Sequence, residues 1–482
     1  MPYRISRTKA GLLLLLALGL VAGCVRNAPF RTLAGPCQTP GCTNASIEVT
    51  AVPGKPGAEY LLGAVEFDDQ GLVLDRRQME ALFDRLAAES RTQDLCMVVF
   101  VHGWKHNADP SDDDVKSFRK LLAGLAVAEQ GRQPHRKVFG IYAGWRGQVI
   151  DGPDLLADLS FWDRKAAAGR VAQGSIRELL ARARAMRDRI DHTSWSGASV
   201  PLDAPLPPGK DWRSTRLLTI GHSFGGLIVF DALAQAMTDR ASQSLEAGRL
   251  GSTAESDKAI ASYGDLVVIV NPAVEATAFE PLHQLMQGRD ARTLARNQNP
   301  VLIQVTSSAD QATGTAFPLG RWFNVITESF VDRNERSEAS KAIGHWAPFW
   351  THDLTRDPEA PAADAYVAKV QAARPEDLSA QECAQRAAFE TQWRQDGYLR
   401  PGWSRRYSAG ALLSHRQQSG LDPNVPFWMV HADKSVIADH GDIQEPVFVD
   451  FIRQLYDELL PEAVECGAGG PERGGLAGEV KR

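Results

Sequence analysis

From residue 60 onward the chain alternates between two hydrophobic patterns. Runs that are almost continuously apolar and rich in β-branched residues fall at 60–67, 95–101, 138–143, 217–220, 266–270, 301–305 and 427–430. Such runs predict strands buried on both faces, as in a parallel sheet, with the first placed on an antiparallel edge. Between them, apolar residues recur at helical spacing over 78–90, 115–129, 175–190, 227–238, 276–287 and 447–460. In the first of these, Met79, Leu82, Phe83 and Leu86 share one face, as an amphipathic helix requires. The alternation predicts the α/β class: a mostly parallel central sheet with helices on both faces, spanning about 59–462. Two stretches, 147–212 and 314–426, exceed ordinary connection length. The first holds a long charged helix and a Pro-rich loop. The second holds Trp322, Trp346, Phe349, Trp350, Trp393 and Trp403, a set suited equally to a lid or pocket wall and to a satellite core.

The ends of the chain break this pattern. Arg4, Arg7 and Lys9 precede the apolar run 11–21, which has the layout of an export signal and is short for a membrane span. It ends in Val21-Ala22-Gly23-Cys24, which resembles a bacterial lipobox. That resemblance implies a signal peptide over 1–23, acylation of Cys24 and a membrane anchor. Val25 follows in place of the Asp that retains lipoproteins at the inner membrane, which implies the outer membrane, facing the periplasm. Residues 24–58, rich in Pro, Gly and Thr, read as a tether with one strand near 47–52. Residues 463–482 are Gly-rich and read as a disordered tail.

Net charge is −6 over 482 residues, with no basic block in the body, so nucleic acid is not an expected partner. An exported chain permits disulfides. Cys37 and Cys42 are spaced to bridge, Cys383 with Cys466 is reached only by elimination, and Cys96 reads as a buried thiol. No Cys/His spacing reads as a zinc site, and no metal or organic cofactor is expected. Asn44-Ala45-Ser46 matches a glycosylation sequon and is taken as chance.

The strongest chemical signal is Gly221-His222-Ser223-Phe224-Gly225, set between the strand 217–220 and the helix 227–238. In a chain with 41 glycines the five-residue pattern alone says little; the strand before it and the helix after it carry the weight. A serine on such a turn needs small neighbours, and the helix start behind it aims N–H groups at developing negative charge. Earlier, the strand 95–101 ends in His102-Gly103-Trp104. Together these segments resemble the α/β-hydrolase superfamily, in its esterase and lipase form, over about 60–460. The resemblance implies that Ser223 is the nucleophile and that the backbone N–H groups of Trp104 and Phe224 form the oxyanion hole. His102 precedes the serine and is read as structural. Arg146, after the strand 138–143, either lines the pocket or locks its loop.

In that family the base follows the last strand and the acid follows the strand two beyond the nucleophile. His440 lies between the strand 427–430 and the final helix, and Asp310 lies on the loop after 301–305. His431, His345 and His352 are rival bases, Glu275 is the rival acid, and Asp442 is read as a brace for the final helix. The expected function is hydrolysis of a small-molecule or lipid carboxylic ester through an acyl-enzyme. Acyl transfer on the same fold and a non-catalytic envelope lipoprotein are the alternatives.

Overall fold

The computed structural model describes residues 27–37, 42–130, 135–148, 161–202, 204, 206, 211–290, 292–296, 298–318, 321, 328–360, 362, 365–366 and 401–458. The expected signal peptide, Cys24, the tail, the Cys383–Cys466 pair, Trp322 and Trp393 lie outside these residues.

The strands are β1 (Leu33–Pro36), β2 (Ala45–Ala51), β3 (Glu59–Phe67), β4 (Asp94–Val101), β5 (Arg136–Trp145), β6 (Arg216–His222), β7 (Leu266–Val270), β8 (Leu302–Ser307), β9 (His352–Arg356), β10 (Ser404–Arg406), β11 (Ala411–His415) and β12 (Phe427–Ala432). They form one sheet in the order β1-β2-β3-β5-β4-β6-β7-β8-β12-β9-β11-β10. From β3 across to β9 every neighbouring pair is parallel. β2 runs antiparallel to β3, and β11 antiparallel to both β9 and β10. The protein is therefore of the α/β class, with a large, mostly parallel mixed sheet.

The helices are α1 (Arg76–Glu89), α2 (Asp113–Gln130), α3 (Phe161–Gln173), α4 (Ile176–Asp191), α5 (Phe224–Arg249), α6 (Glu255–Lys258), α7 (Glu280–Met286), α8 (Arg333–Ala339) and α9 (Pro446–Glu458). Strand residues alternate between two apolar layers. Met97, Val99 and Val101 pack with α1, α3, α4, α5 and α7 on one face. Cys96, Val98 and Phe100 pack with α2 and α9 on the other. Burial on both faces is why the strand segments read as continuous apolar runs. Among the described residues no helix is long and apolar enough to cross a membrane.

Three expectations are corrected. β3 is not the outermost strand: it is antiparallel to β2 on one side but pairs in parallel with β5 along eight residues, Tyr60 to Phe67, on the other, and β1 lies beyond β2. The helix expected over 276–287 is a 3-10 turn, Ala276–Ala278, followed by α7, because Pro281 permits only a fresh helical start. The described part of the stretch expected as a tether, residues 27–37 and 42–58, is built into the fold. β1 and β2 are part of the sheet, and Cys37 and Cys42 are joined by a disulfide. Ahead of them Arg31 is only 1% exposed. Its guanidinium donates to Ala108 O (2.8 Å) and Ala45 O (3.1 Å) and pairs with Glu48. The backbone N–H groups of Phe30 and Arg31 donate to the Glu66 carboxylate, each at 2.8 Å. Composition rich in Pro and Gly marked a flexible segment, but sheet pairing, the buried arginine and the bonds to Glu66 tie it down.

The insertion expected over 314–426 supplies β9, β10 and β11, which widen the sheet beyond β12. Its described aromatics follow these strands. Trp350 stacks on His431 with ring centroids 4.0 Å apart, and Trp403 lies 5.8 Å from Trp428. Phe349 and Trp346 join one of the two apolar layers and Trp403 packs against the other, so they extend the main core.

Replacing Arg31 with Met would take the buried donor from the Ala108 and Ala45 carbonyls, while Glu48 keeps its pair with Arg119. A buried polar group left unsatisfied typically costs about 1–3 kcal/mol. The urea midpoint should fall accordingly, and an unchanged midpoint would show that residues 27–36 are not integral to the fold.

Candidate active site

Strands β4 and β6 are neighbours, while β5, which follows β4 in sequence, lies on the far side of β4. The chain thus reverses its direction of winding at β4, and a crevice opens beyond the strand ends there. Gly103-Trp104 leaves β4 at this point, and Ser223 joins β6 to α5.

Ser223 has φ 55° and ψ −117°, outside the regions ordinary residues occupy. The strain is held by close packing. A Cβ on Gly225 would lie 1.9 Å from Val101 O, and a Cβ on Gly103 would lie 3.0 Å from Ser223 Cβ. Only glycine lets β4, β6 and α5 approach this closely. Ser223 N–H also donates to Val270 O (3.0 Å), and Ser223 O accepts from Ala273 N–H (3.2 Å). The residues named as anion donors, Trp104 and Phe224, consequently flank Ser223. Phe224 opens the 26-residue helix α5, whose N-terminal dipole favours negative charge at this spot.

Ser223, Asp310 and His440 meet. The Ser223 hydroxyl donates to His440 Nε2 at 2.9 Å, and His440 Nδ1–H donates to Asp310 Oδ1 at 2.8 Å. Asp310 is 2% exposed. Burial alone would favour its neutral form, but hydrogen bonds from the His345 side, from His440 and from Thr313 outweigh it and hold the carboxyl well below the usual range. It is therefore a carboxylate throughout the neutral range, able to fix the imidazole tautomer and to stabilise an imidazolium.

The rivals sit elsewhere. His345 is on the far side of Asp310: its Nε2–H donates to Thr313 Oγ1 at 3.0 Å, and Thr313 Oγ1–H donates to Asp310 Oδ2. His352 is buried at the start of β9, its ring 4.5 Å from that of Trp428. Glu275 pairs with Lys165 of α3. His102 is sandwiched between Tyr142 and Trp145; Nδ1–H donates to Gly103 O (2.9 Å) and Nε2 accepts from Trp145 N–H (2.9 Å). Burial pushes its pKa down to about 4, so it stays neutral and shapes the Gly103 turn. Arg146 pairs with the Asp69 carboxylate, which also receives Arg164 (2.7 Å), so it braces two loops.

Two residues near the site, Asn271 and Ser307, were not singled out from the sequence. His440 O accepts from His222 Nε2–H (2.9 Å) and from Asn271 Nδ2–H (2.8 Å). Asn271 Oδ1 accepts from Ser307 N–H (2.9 Å), and Ser307 Oγ donates to Ile437 O (2.7 Å). Asn271 therefore ties the loop carrying His440 to the end of β8, from which Asp310 projects. It has φ 45°, and with Lys105 and Ser223 it makes up the non-glycine residues with positive φ among the described residues. Backbone strain of this kind gathers at functional sites, and all three stand at this crevice. Asn-Pro directly after a strand was the available signal: asparagine is one of the few residues that tolerates this conformation. Burial and the neighbouring His440 imidazole push His222 down to about 4, so it remains a neutral donor.

Aromatic side chains line one flank. Trp104 meets Phe161 at a 5.2 Å centroid distance, and Phe161 meets Phe224 at 4.9 Å. Trp104 and Phe161 are partly exposed. Among the described residues no cluster of three or more His, Cys, Asp or Glu is arranged to hold a metal ion.

The arrangement can deprotonate a serine hydroxyl as it attacks an electrophile. Asn271→Ala should slow covalent labelling of Ser223 by a fluorophosphonate, since misplacing a reacting group by about 1 Å costs on the order of 100-fold. Labelling at the parent rate would show that the His440 loop is held without Asn271.

The chain matches no family model, no curated protein and no solved structure with which it was compared.

Proposed function

We propose that the protein is a serine hydrolase of carboxylic esters with an α/β-hydrolase fold, working through an acyl-enzyme. The observation that carries this reading is the unbroken hydrogen-bonded line Ser223–His440–Asp310 beside a helix N-terminus at the sheet's switch point. The order of strands, with the turn after β4 and the turn after β6 side by side, supports the fold assignment.

As Ser223 Oγ attacks the ester carbonyl carbon, its proton passes to His440 Nε2. The carbonyl oxygen becomes an oxyanion between the N–H groups of Trp104 and Phe224. One such donor typically contributes about 3–4 kcal/mol to the barrier reduction. The C–O ester bond then breaks, and His440 gives its proton to the departing alkoxide, which leaves as alcohol. Water attacks the acyl-enzyme while His440 takes one of its protons. Collapse returns that proton to Ser223 Oγ and releases the carboxylic acid. Asp310 remains a carboxylate throughout and steadies the imidazolium. The partly exposed rings of Trp104 and Phe161 favour an apolar acyl group.

On the lipobox at 21–24 we place the mature protein in the bacterial envelope, acylated at Cys24, on the periplasmic side of the outer membrane.

Ser223→Ala should abolish turnover of a short-chain acyl ester by folded protein. Asp310→Asn should lower kcat by about 10⁴-fold by holding the wrong imidazole tautomer. Retained turnover in folded Ser223→Ala protein would sink the assignment.

A further inference from the structure

We infer that the rim carrying Ser223 faces the membrane, so that the site takes acyl esters lodged in the lipid surface. This rests on the reading above, in which Ser223 attacks esters and Cys24 carries the anchor.

The direction of β1 is the starting point. β2 is antiparallel to β3, with Ala51 opposite Glu59 and Ile47 opposite Gly63. Ala45 therefore lies at the end of the sheet where β3 finishes, which is also the end where β4, β6 and β8 deliver Trp104, Ser223 and Asp310. β1 is parallel to β2 and begins with Leu33 beside Ala45. Residues ahead of Leu33 thus approach from the catalytic rim and not from the opposite edge.

The chain is fixed almost at once. Phe30 and Arg31 are bonded to Glu66, the penultimate residue of β3. Arg31 Nε donates to Ala108 O, on the loop that begins with Gly103-Trp104. Three strand spacings separate β3 from β6, about 14 Å in all. In sequence only residues 25–29 separate Cys24 from Phe30. Six residue steps span at most about 20 Å when extended. The strands themselves run about 23 Å from rim to far edge, at about 3.3 Å per residue for the seven residues of β6. A leash this short, tied at the rim, makes the rim the near side of the body when acyl chains at Cys24 sit in a bilayer. An ester whose acyl chain emerges from that bilayer meets the apolar flank of Trp104 and Phe161 first.

The test uses the full acylated chain in phosphatidylethanolamine–phosphatidylglycerol vesicles, with two substrates. One is p-nitrophenyl acetate, dissolved in water; the other is a long-chain acyl ester of methylumbelliferone, held in the vesicles. A Gly/Ser insert of about 30 residues between Arg26 and Asn27 lengthens the leash to a root-mean-square reach of about 33 Å. It touches no residue of the site. The expected result is unchanged turnover of the acetate and a drop of about tenfold with the vesicle-borne ester, as local concentration and orientation are lost. Equal turnover of the vesicle-borne ester by the two proteins overturns the inference and leaves the hydrolase reading intact. A parent protein whose Cys24 carries no acyl group by mass spectrometry overturns it as well. Failure of the parent on both substrates, with Ser223 unlabelled by fluorophosphonate, overturns the hydrolase reading and the inference together.

Discussion

The close approach of α5 to the end of β4 governs the site. With Gly225 almost touching Val101 O, the helix axis is driven down onto the sheet, and Ser223 has no room for an ordinary backbone conformation. One contact therefore sets three things: the outward aim of the hydroxyl, the position of the helix dipole behind it, and the proximity of the Gly103-Trp104 turn. Any side chain at Gly225 would separate all three at once. The strain at Ser223, of order 1–3 kcal/mol for such conformations, is small beside the apolar burial on both faces of the sheet that enforces it.

The second half of the site is held through carbonyl oxygens. His440 lies on a loop, where a side chain would ordinarily sample several positions. Its own backbone carbonyl is gripped by His222 and Asn271, and the adjoining turn is gripped by Ser307. These donors come from the ends of β6, β7 and β8, the same strand ends that carry or adjoin Ser223 and Asp310. The loop is registered to the sheet as if it were part of it. Asp310 is likewise braced from behind by Thr313, which relays to His345, so both faces of the carboxylate are occupied. The result is preorganisation: little has to move when charge develops.

Much of this was legible in the sequence because it depends on local pattern. Continuous apolar runs marked the strands from β4 to β8 to within a few residues, and the Gly-Xaa-Ser-Xaa-Gly turn was identified by the elements around it. Asp310 and His440 were named from the family resemblance, which ties each to a place in the strand order, and the fold brings both to Ser223. What local pattern could not supply was pairing. Nothing in 27–58 signals that Arg31 will be buried against Ala108 and Ala45, since those partners are up to 77 residues away. β9, β10 and β11 are short and half polar; β9 is paired onto β12, β11 onto β9 and β10 onto β11, and local pattern does not show such pairing. The helix at 161–173 was missed because its apolar face is built largely from alanines, whose weak hydrophobicity hides the period. Asn271 escaped because its role lies in contacts to residues 307 and 440.

The strands β9 to β11 come from the stretch of chain between Asp310 and His440, and this placement has a bearing on biogenesis. His440 stands 130 residues after the carboxylate and 217 after the hydroxyl it must meet. A chain emerging from the ribosome, or threading through a translocation pore, carries the serine long before it carries the imidazole. Until the last tenth of the polypeptide has been delivered and β12 has docked beside β8, the serine is an ordinary alcohol. On the hydrolase reading proposed above, the protein would be its own zymogen during synthesis, kept inert by the order in which its residues arrive.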